Sequence, residues 1–182
     1  MRKQYLSAPL PFQGQKRMFA KEYIKVLQQF PDNTTFVDLF GGSGLLSHIA
    51  KYQKPNATVV YNDFDGYQYR LEHIPQTNEL LTRLRGVVSV PRHKPIQGKE
   101  RDQVLSLIRE HECLYGYVDY ITLSSSLLFS MKYATAYQEF EKETLYNCIK
   151  ATDYYTYPDY LEGLVITSCD YKEVFEKYKD IP

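Results

Sequence analysis

Residues 36–44, Phe-Val-Asp-Leu-Phe-Gly-Gly-Ser-Gly, hold the densest grouping in this chain of residue types suited to binding a nucleoside. Gly41, Gly42 and Gly44 follow directly on an apolar run that carries Asp38. Glycine at such a place takes backbone angles closed to other residues and lets a ligand lie against the main chain. A second acidic group follows in Asn62-Asp63-Phe64-Asp65, about 20 residues beyond the glycines. At that spacing a mononucleotide half-site sets the carboxylate that takes the ribose hydroxyls, and Asp63 is expected to do so here. The elements that must hold these groups are legible around them. Phe36, Val37 and Leu39 read as the end of a buried strand, Leu45 to Tyr52 as an apolar helix, and Thr58 to Tyr61 as a second strand. Strand, glycine loop, helix, strand and acid arrive in the order of a nucleoside-binding half-site.

The loop discriminates among nucleosides. A dinucleotide fold prefers G-x-G-x-x-G, with its third glycine inside the helix, and this loop lacks that glycine. Asp38 stands three residues before the first glycine, where it would repel a pyrophosphate but accept hydrogen bonds from a cationic amino group. S-adenosylmethionine carries such a group and no phosphate.

The run Asp38-Leu39-Phe40-Gly41-Gly42-Ser43-Gly44 resembles the cofactor loop of the Dam-like DNA adenine-N6 methyltransferases. Two further segments strengthen the resemblance. Pro11-Phe12-Gln13-Gly14-Gln15-Lys16 is similar to the family's aromatic-x-Gly-x-Lys segment, whose aromatic and lysine flank the cofactor. Gly163-Leu164-Val165-Ile166-Thr167-Ser168-Cys169-Asp170-Tyr171 reads as a buried strand ending in a polar turn, similar to the strand whose polar–aromatic pair packs on the cofactor adenine. The resemblance covers roughly residues 8–66 and 162–178. It implies an α/β fold, a Rossmann-like S-adenosylmethionine-dependent methyltransferase core with a mostly helical insertion. It also implies S-adenosyl-L-methionine as cofactor and double-stranded DNA as partner. On it, Asp38 and the backbone of Gly41 to Gly44 hold the methionine moiety, Phe40 is a further cofactor-binding residue of the loop, and Lys16 sits by the carboxylate. Asp63 takes the ribose, while Phe12, Asp170 and Tyr171 border the adenine.

One departure bears on activity. The family's catalytic [Asp/Asn/Ser]-Pro-Pro-[Tyr/Phe] tetrapeptide is nowhere in the 182 residues, and the nine prolines never occur as a pair. That tetrapeptide accepts hydrogen bonds from the target amine and stacks its aromatic on the flipped base. The expectation is a fragment ending just before the catalytic strand, in which no residue is catalytic. The complete product would methylate N6 of adenine in DNA. Two alternatives remain at this point: a catalytically inert module that binds cofactor and DNA, and a nicotinamide-dependent oxidoreductase. If the chain acts without the tetrapeptide, Asp119-Tyr120 and Asp159-Tyr160 are the first places to look.

Composition narrows the class further. Lys and Arg total 22, as do Asp and Glu, so the net charge is zero and a histone-like electrostatic DNA binder is disfavoured. No apolar run is long enough to span a membrane, and no signal-like segment follows Met1, so a cytoplasmic protein is expected. Cys113, Cys148 and Cys169 lack metal or disulfide spacing and read as reduced core residues, and the histidines lack ligand spacing, so no metal is expected. His48 reads as a packed or surface residue. Tyrosine is abundant, 18 against no tryptophan, with many expected on the surface in the run from Tyr154 to Tyr160.

Along the chain, an amphipathic helix is expected from about Lys16 to Gln29, and the cofactor-binding core runs through residues 1–71. Residues 72–160 read as a helical target-recognition insertion, and 161–182 as a returning core strand and helix. Within the insertion Pro75 should interrupt a helix that restarts at Glu79. A basic loop spans Val87 to Lys99, and helical patterning resumes at Val104 and over Ala136 to Ile149. Arg92, Lys94 and Lys99 in that basic stretch are candidates for phosphate contact. So is Lys132, in a hydroxyl-rich segment, Leu123 to Tyr133, that could line a base pocket.

Overall fold

The computed structural model describes residues 3–14, 16–129 and 132–181. Gln15, Ser130 and Met131, which fall within segments singled out above, lie outside the described residues. In chain order a 3₁₀ turn (Lys16–Phe19) leads into α1 (Ala20–Leu27), β1 (Thr35–Asp38), α2 (Leu45–Gln53), β2 (Thr58–Asn62) and α3 (Tyr67–Glu72). There follow α4 (Ile74–Val87), β3 (Pro95–Ile96), α5 (Gly98–Tyr115), α6 (Tyr120–Leu127), α7 (Tyr137–Lys142) and β4 (Leu145–Tyr146). The last elements are β5 (Val165–Thr167) and α8 (Tyr171–Tyr178). The fold is α/β. It divides into two compact units, one running to Leu71 and resuming at Thr156, the other Glu72–Tyr155.

The first unit is built on a three-stranded parallel sheet in the order β1-β2-β5. Central β2 supplies the core, with Val59, Val60 and Tyr61 all buried, and α2 covers it with Leu45, Ile49 and Ala50. The register pairs Asp38 with Tyr61 and Asn62 with Thr167, so the strands run out together at one edge. Ligands in open parallel sheets bind beyond that carboxyl edge. Asn62 ties the edge together. Its Nδ2 donates to Leu39 O (3.1 Å) and Cys169 O (2.9 Å), and its Oδ1 accepts from Cys169 N (3.1 Å) and Thr167 Oγ1 (3.2 Å).

Both outer strands are less buried than their apolar sequences predict. β1 is half-buried throughout, and Val165 and Ile166 of β5 are exposed. Each pairs with β2 alone among the described residues, whereas a continuous apolar run suggests a strand covered on all sides. The expected helix from Lys16 to Gln29 is shorter, opening as a 3₁₀ turn and ending at Leu27.

In the second unit α4 and α5 pack together and bury Leu80, Leu81, Leu84, Val104 and Ile108. Pro75 does not interrupt α4. It sits in the first turn, where a missing N–H leaves no intrahelical bond unmade. The helical reading of 136–149 holds only for α7, because Leu145-Tyr146 pairs antiparallel with Pro95-Ile96 in a short ribbon. Local periodicity could not foresee that pairing. The second unit also ends before residue 160, since Tyr160 is wholly buried in the first unit.

Candidate cofactor site

Beyond the carboxyl edge of the sheet lies a cavity of about 420 Å³. Three segments far apart in sequence line it: Phe12 to Lys16 as far as described, Leu39 to Leu46 in part, and Asp170-Tyr171, with Asn62, Phe64 and Asp65 beside them. Of the residues implied by the resemblance, Phe12, Lys16, Phe40, Gly41, Gly42, Asp170 and Tyr171 are brought together here.

The glycine loop is held tightly. A Cβ on Gly41 would lie 2.2 Å from the Tyr61 ring and 2.8 Å from the backbone oxygen of Asn62, so no side chain fits. Gly42 and Gly44 both have left-handed φ, 51° and 68°. A Cβ on Gly42 would come within 3.0 Å of the Phe12 ring. Every carbonyl from Leu39 to Gly44 is engaged within the protein. Leu39 O accepts from Asn62, Phe40 O from Lys16 Nζ (2.9 Å), and Gly41 O from Gly44 N (2.8 Å). Gly42 O lies 2.8 Å from the Tyr61 hydroxyl, Ser43 O accepts from Tyr160 Oη (3.0 Å), and Gly44 O from His48 N (2.8 Å). Among the described residues no acceptor is found for the amides of Gly41, Gly42 and Ser43.

Three residues expected at the site stand elsewhere. The Asp63 carboxylate is buried and turned onto its own chain, accepting from Tyr67 N (2.6 Å) and Gln68 N (2.8 Å) at the start of α3, with the Tyr61 hydroxyl at 3.0 Å. It satisfies a helix N-terminus and does not line the cavity, whereas Asp65, exposed two residues on, does. Asp38 is half-buried, accepts from Ser47 Oγ (2.8 Å) and is not a lining residue. Its charge and burial together push the Tyr23 hydroxyl up to about 12, burial being the larger cause. Gly44 caps α2 beside Leu161 and Tyr61 and is likewise outside the lining.

Asp63 works at one remove. It anchors α3, from which the Tyr67 hydroxyl bonds the Leu10 backbone (3.0 Å) and Arg70 donates to Pro11 O (2.8 Å), so α3 holds the strand of chain that delivers Phe12. At the mouth of the cavity the exposed rings of Phe40 and Tyr171 lie 5.1 Å apart. Asp170 lines the wall and caps α8, accepting from Lys172 N (2.9 Å). Tyr61 and Tyr160 both have hydroxyl pKa values raised far above the ordinary phenol range, by burial first, so both stay protonated donors.

His48 is a packed residue: Nε2 accepts from Tyr5 N (3.0 Å), which leaves Nδ1 to donate to Tyr160 O (2.8 Å). The Tyr154–Tyr160 run is less exposed than expected, with Tyr154 and Tyr160 buried and Tyr157 stacked on Tyr5 at 4.1 Å. The cysteines are free but none is a core residue, Cys113 being exposed and the other two half-buried.

In the second unit Arg92, Lys94 and Lys99 are exposed around β3. Lys132 instead forms an ion pair with Glu143. In the Leu123 to Tyr133 segment the hydroxyls of Ser124, Ser125 and Ser126 donate to backbone, Ser124 to Tyr120 O (2.7 Å), Ser125 and Ser126 to Thr122 O (2.8 and 3.0 Å). Asp119 is the N-cap of α6, accepting from Thr122 N and Oγ1.

Comparison with known proteins bears on this geometry. The chain is 38% identical, over 98% of its length, to a protein of Haemophilus influenzae named "Putative methyltransferase". The chain spans 62% of the length of this relative. No protein-family model matches the chain, and no solved structure matches it.

Proposed function

We propose that the cavity binds S-adenosyl-L-methionine and serves the transfer of a methyl group to N6 of adenine in double-stranded DNA, a reaction that needs the Pro-Pro tetrapeptide in addition to residues 1–182. The single observation that carries the reading is the convergence on one cavity of Phe12, Lys16, the glycine loop, Asp170 and Tyr171, each named by the sequence resemblance. The similarity to a protein named for methyl transfer supports it from a separate direction.

The residues fit the cofactor. The volume is within the range of small-molecule sites, and a backbone cradle without side chains at Gly41 and Gly42 admits close approach. When bound, the cofactor supplies an electrophilic methyl on a sulfonium. Asp65, in place of Asp63, accepts from the ribose hydroxyls. The Gly41, Gly42 and Ser43 amides and Lys16 take the amino-acid end, and Phe12, Phe40 and Tyr171 offer flat faces to the adenine. Arg92, Lys94 and Lys99 contact DNA phosphates without reading sequence.

Calorimetry with S-adenosylhomocysteine and with NAD tests the cofactor. Binding of the first alone is expected, and tight NAD binding without S-adenosyl binding would reverse the assignment. For the reaction, residues 1–182 are expected to show no turnover on unmethylated DNA in a tritiated-methyl assay, because nothing like the Pro-Pro tetrapeptide holds the amine lone pair toward the methyl. Robust turnover would place the catalytic group within these residues.

A further inference from the structure

We infer that Tyr160 is a positioning residue for the cofactor loop, acting with Tyr61 as a pair of hydroxyl props beneath two successive loop carbonyls. The inference rests on the cofactor reading above, but its first test does not.

Tyr160 lies outside the cavity lining and comes from the segment by which the chain returns after Glu72–Tyr155. It is fully buried and attached at both ends of the residue. Its hydroxyl donates to Ser43 O (3.0 Å), its own carbonyl accepts from His48 Nδ1 (2.8 Å), and its ring stacks on the His48 imidazole at 4.9 Å and 13°. Next to it, Leu161 is packed closely enough that a Cβ on Gly44 would meet it at 3.0 Å. Tyr61 supports the neighbouring carbonyl, Gly42 O (2.8 Å). Its one proton also has Asp63 Oδ1 within reach, so Tyr160 is the prop with a single acceptor.

The consequence follows from peptide geometry. A peptide unit is planar, so fixing the Gly42 and Ser43 carbonyls also fixes the directions of the Ser43 and Gly44 amides. Two left-handed glycines would otherwise leave the loop many arrangements of similar energy. Phe12 presses on Gly42 while the hydroxyls hold the carbonyls, which selects one arrangement. A loop held ready in this way binds its ligand without the cost of ordering it. By linkage, a ligand seated on the loop must in turn steady residues 157–161, which lie outside the cavity lining.

Tyr160→Phe removes the hydroxyl and keeps the ring on His48. Tyr157→Phe, in the same segment but with its ring on Tyr5, is the control. Without ligand, amide exchange read by NMR at Gly44, whose N–H is bonded to Gly41 O (2.8 Å), is expected to speed several-fold in Tyr160→Phe and to stay unchanged in Tyr157→Phe. Equal loop exchange in wild type and Tyr160→Phe would overturn the inference, whether or not any S-adenosyl compound binds. With S-adenosylhomocysteine, affinity is expected to fall about tenfold in Tyr160→Phe at a temperature well below unfolding, and wild-type amides at 157–161 to gain protection. A lowered melting temperature with unchanged affinity and loop exchange would make Tyr160 a core residue only. Failure of wild type to bind the ligand would count against the cofactor reading, with the ligand-free exchange still deciding this one.

Discussion

Asp63 and Asp65 are two residues apart and stand in different surroundings. The Asp63 carboxylate is committed to the start of α3 and to the Tyr61 hydroxyl, whereas Asp65 is exposed at the cavity. Asp65→Ala should therefore weaken S-adenosylhomocysteine by about 1.5–3 kcal/mol, the scale of a hydrogen bond to a charged group, while leaving thermal stability near wild type. Asp63→Ala should act first on the fold, costing about 1–2 kcal/mol of stability for the lost cap, with a smaller loss of affinity than Asp65→Ala. Titration calorimetry and denaturant melts on both variants check the pair, and a swap of the two phenotypes would return the ribose to Asp63. The glycines divide in a similar way. Gly41→Ala drives a Cβ into the buried Tyr61 ring and should cost about 1–3 kcal/mol and abolish ligand binding. Gly66→Ala meets nothing within 4 Å and suffers only its left-handed φ, about 1–2 kcal/mol, with binding retained. At this scale the sequence could say that an acid belonged near residue 63. It could not say which of two, because the choice turns on whether a side chain folds back onto its own helix.

At the level of elements, the β1–loop–α2–β2 unit was legible because its signals are local: apolar runs, then glycines, then an amphipathic helix. What holds those elements together was not legible. Asn62 joins the ends of three strands through partners as distant as Cys169, and Tyr160 reaches back to Ser43, and neither pairing leaves a mark in a sequence window. Asn62→Ala should leave Leu39 O, Cys169 N and Cys169 O to find other partners and cost about 1–3 kcal/mol in urea melts. An unaltered melt would mean that backbone pairing alone sets the edge. In the second unit α5 carries a buried histidine, His111, whose Nδ1 finds no partner among the described residues. Burial chiefly lowers its pKa, with Arg83 adding and Glu79 opposing. A histidine kept neutral in the fold but free to protonate near pH 6.5 when unfolded favours unfolding in acid. Its stability contribution is intact above about pH 6.5 and is lost as the pH falls through the folded value. Melting temperatures from pH 7.5 to 5 should drop, and drop less steeply in His111→Gln.

For the molecule as a whole, equal numbers of acidic and basic residues fit a surface on which cations are often matched by neighbours. Arg83 pairs with Glu110 (2.6 Å), Arg85 with Asp153 (2.5 Å), and Lys132 with Glu143. Lys132 is exposed as well as paired, and among the described residues Arg92, Lys94 and Lys99 are the phosphate-contact candidates exposed without an ion pair. The expected division into core and insertion was drawn from composition and helical patterning. The units in the structure divide at Leu71/Glu72 and Tyr155/Thr156, the second boundary lying before residue 160, whose ring stacks on His48 of α2 in the first unit.

The outer strand β5 also governs how the protein behaves in concentrated solution. Val165 and Ile166 are 45% and 37% exposed, on opposite faces of the strand, and on its side away from β2 no strand pairs with it among the described residues. An uncharged, β-branched stretch with main-chain groups open along one side is a template on which another extended chain can add. Light scattering should accordingly rise with protein concentration, and Val165→Lys should suppress it, since a charge on an exposed face leaves the Val60 register intact while repelling a second copy. The same strand that closes one wall of the sheet is then the segment expected to govern self-association of residues 1–182.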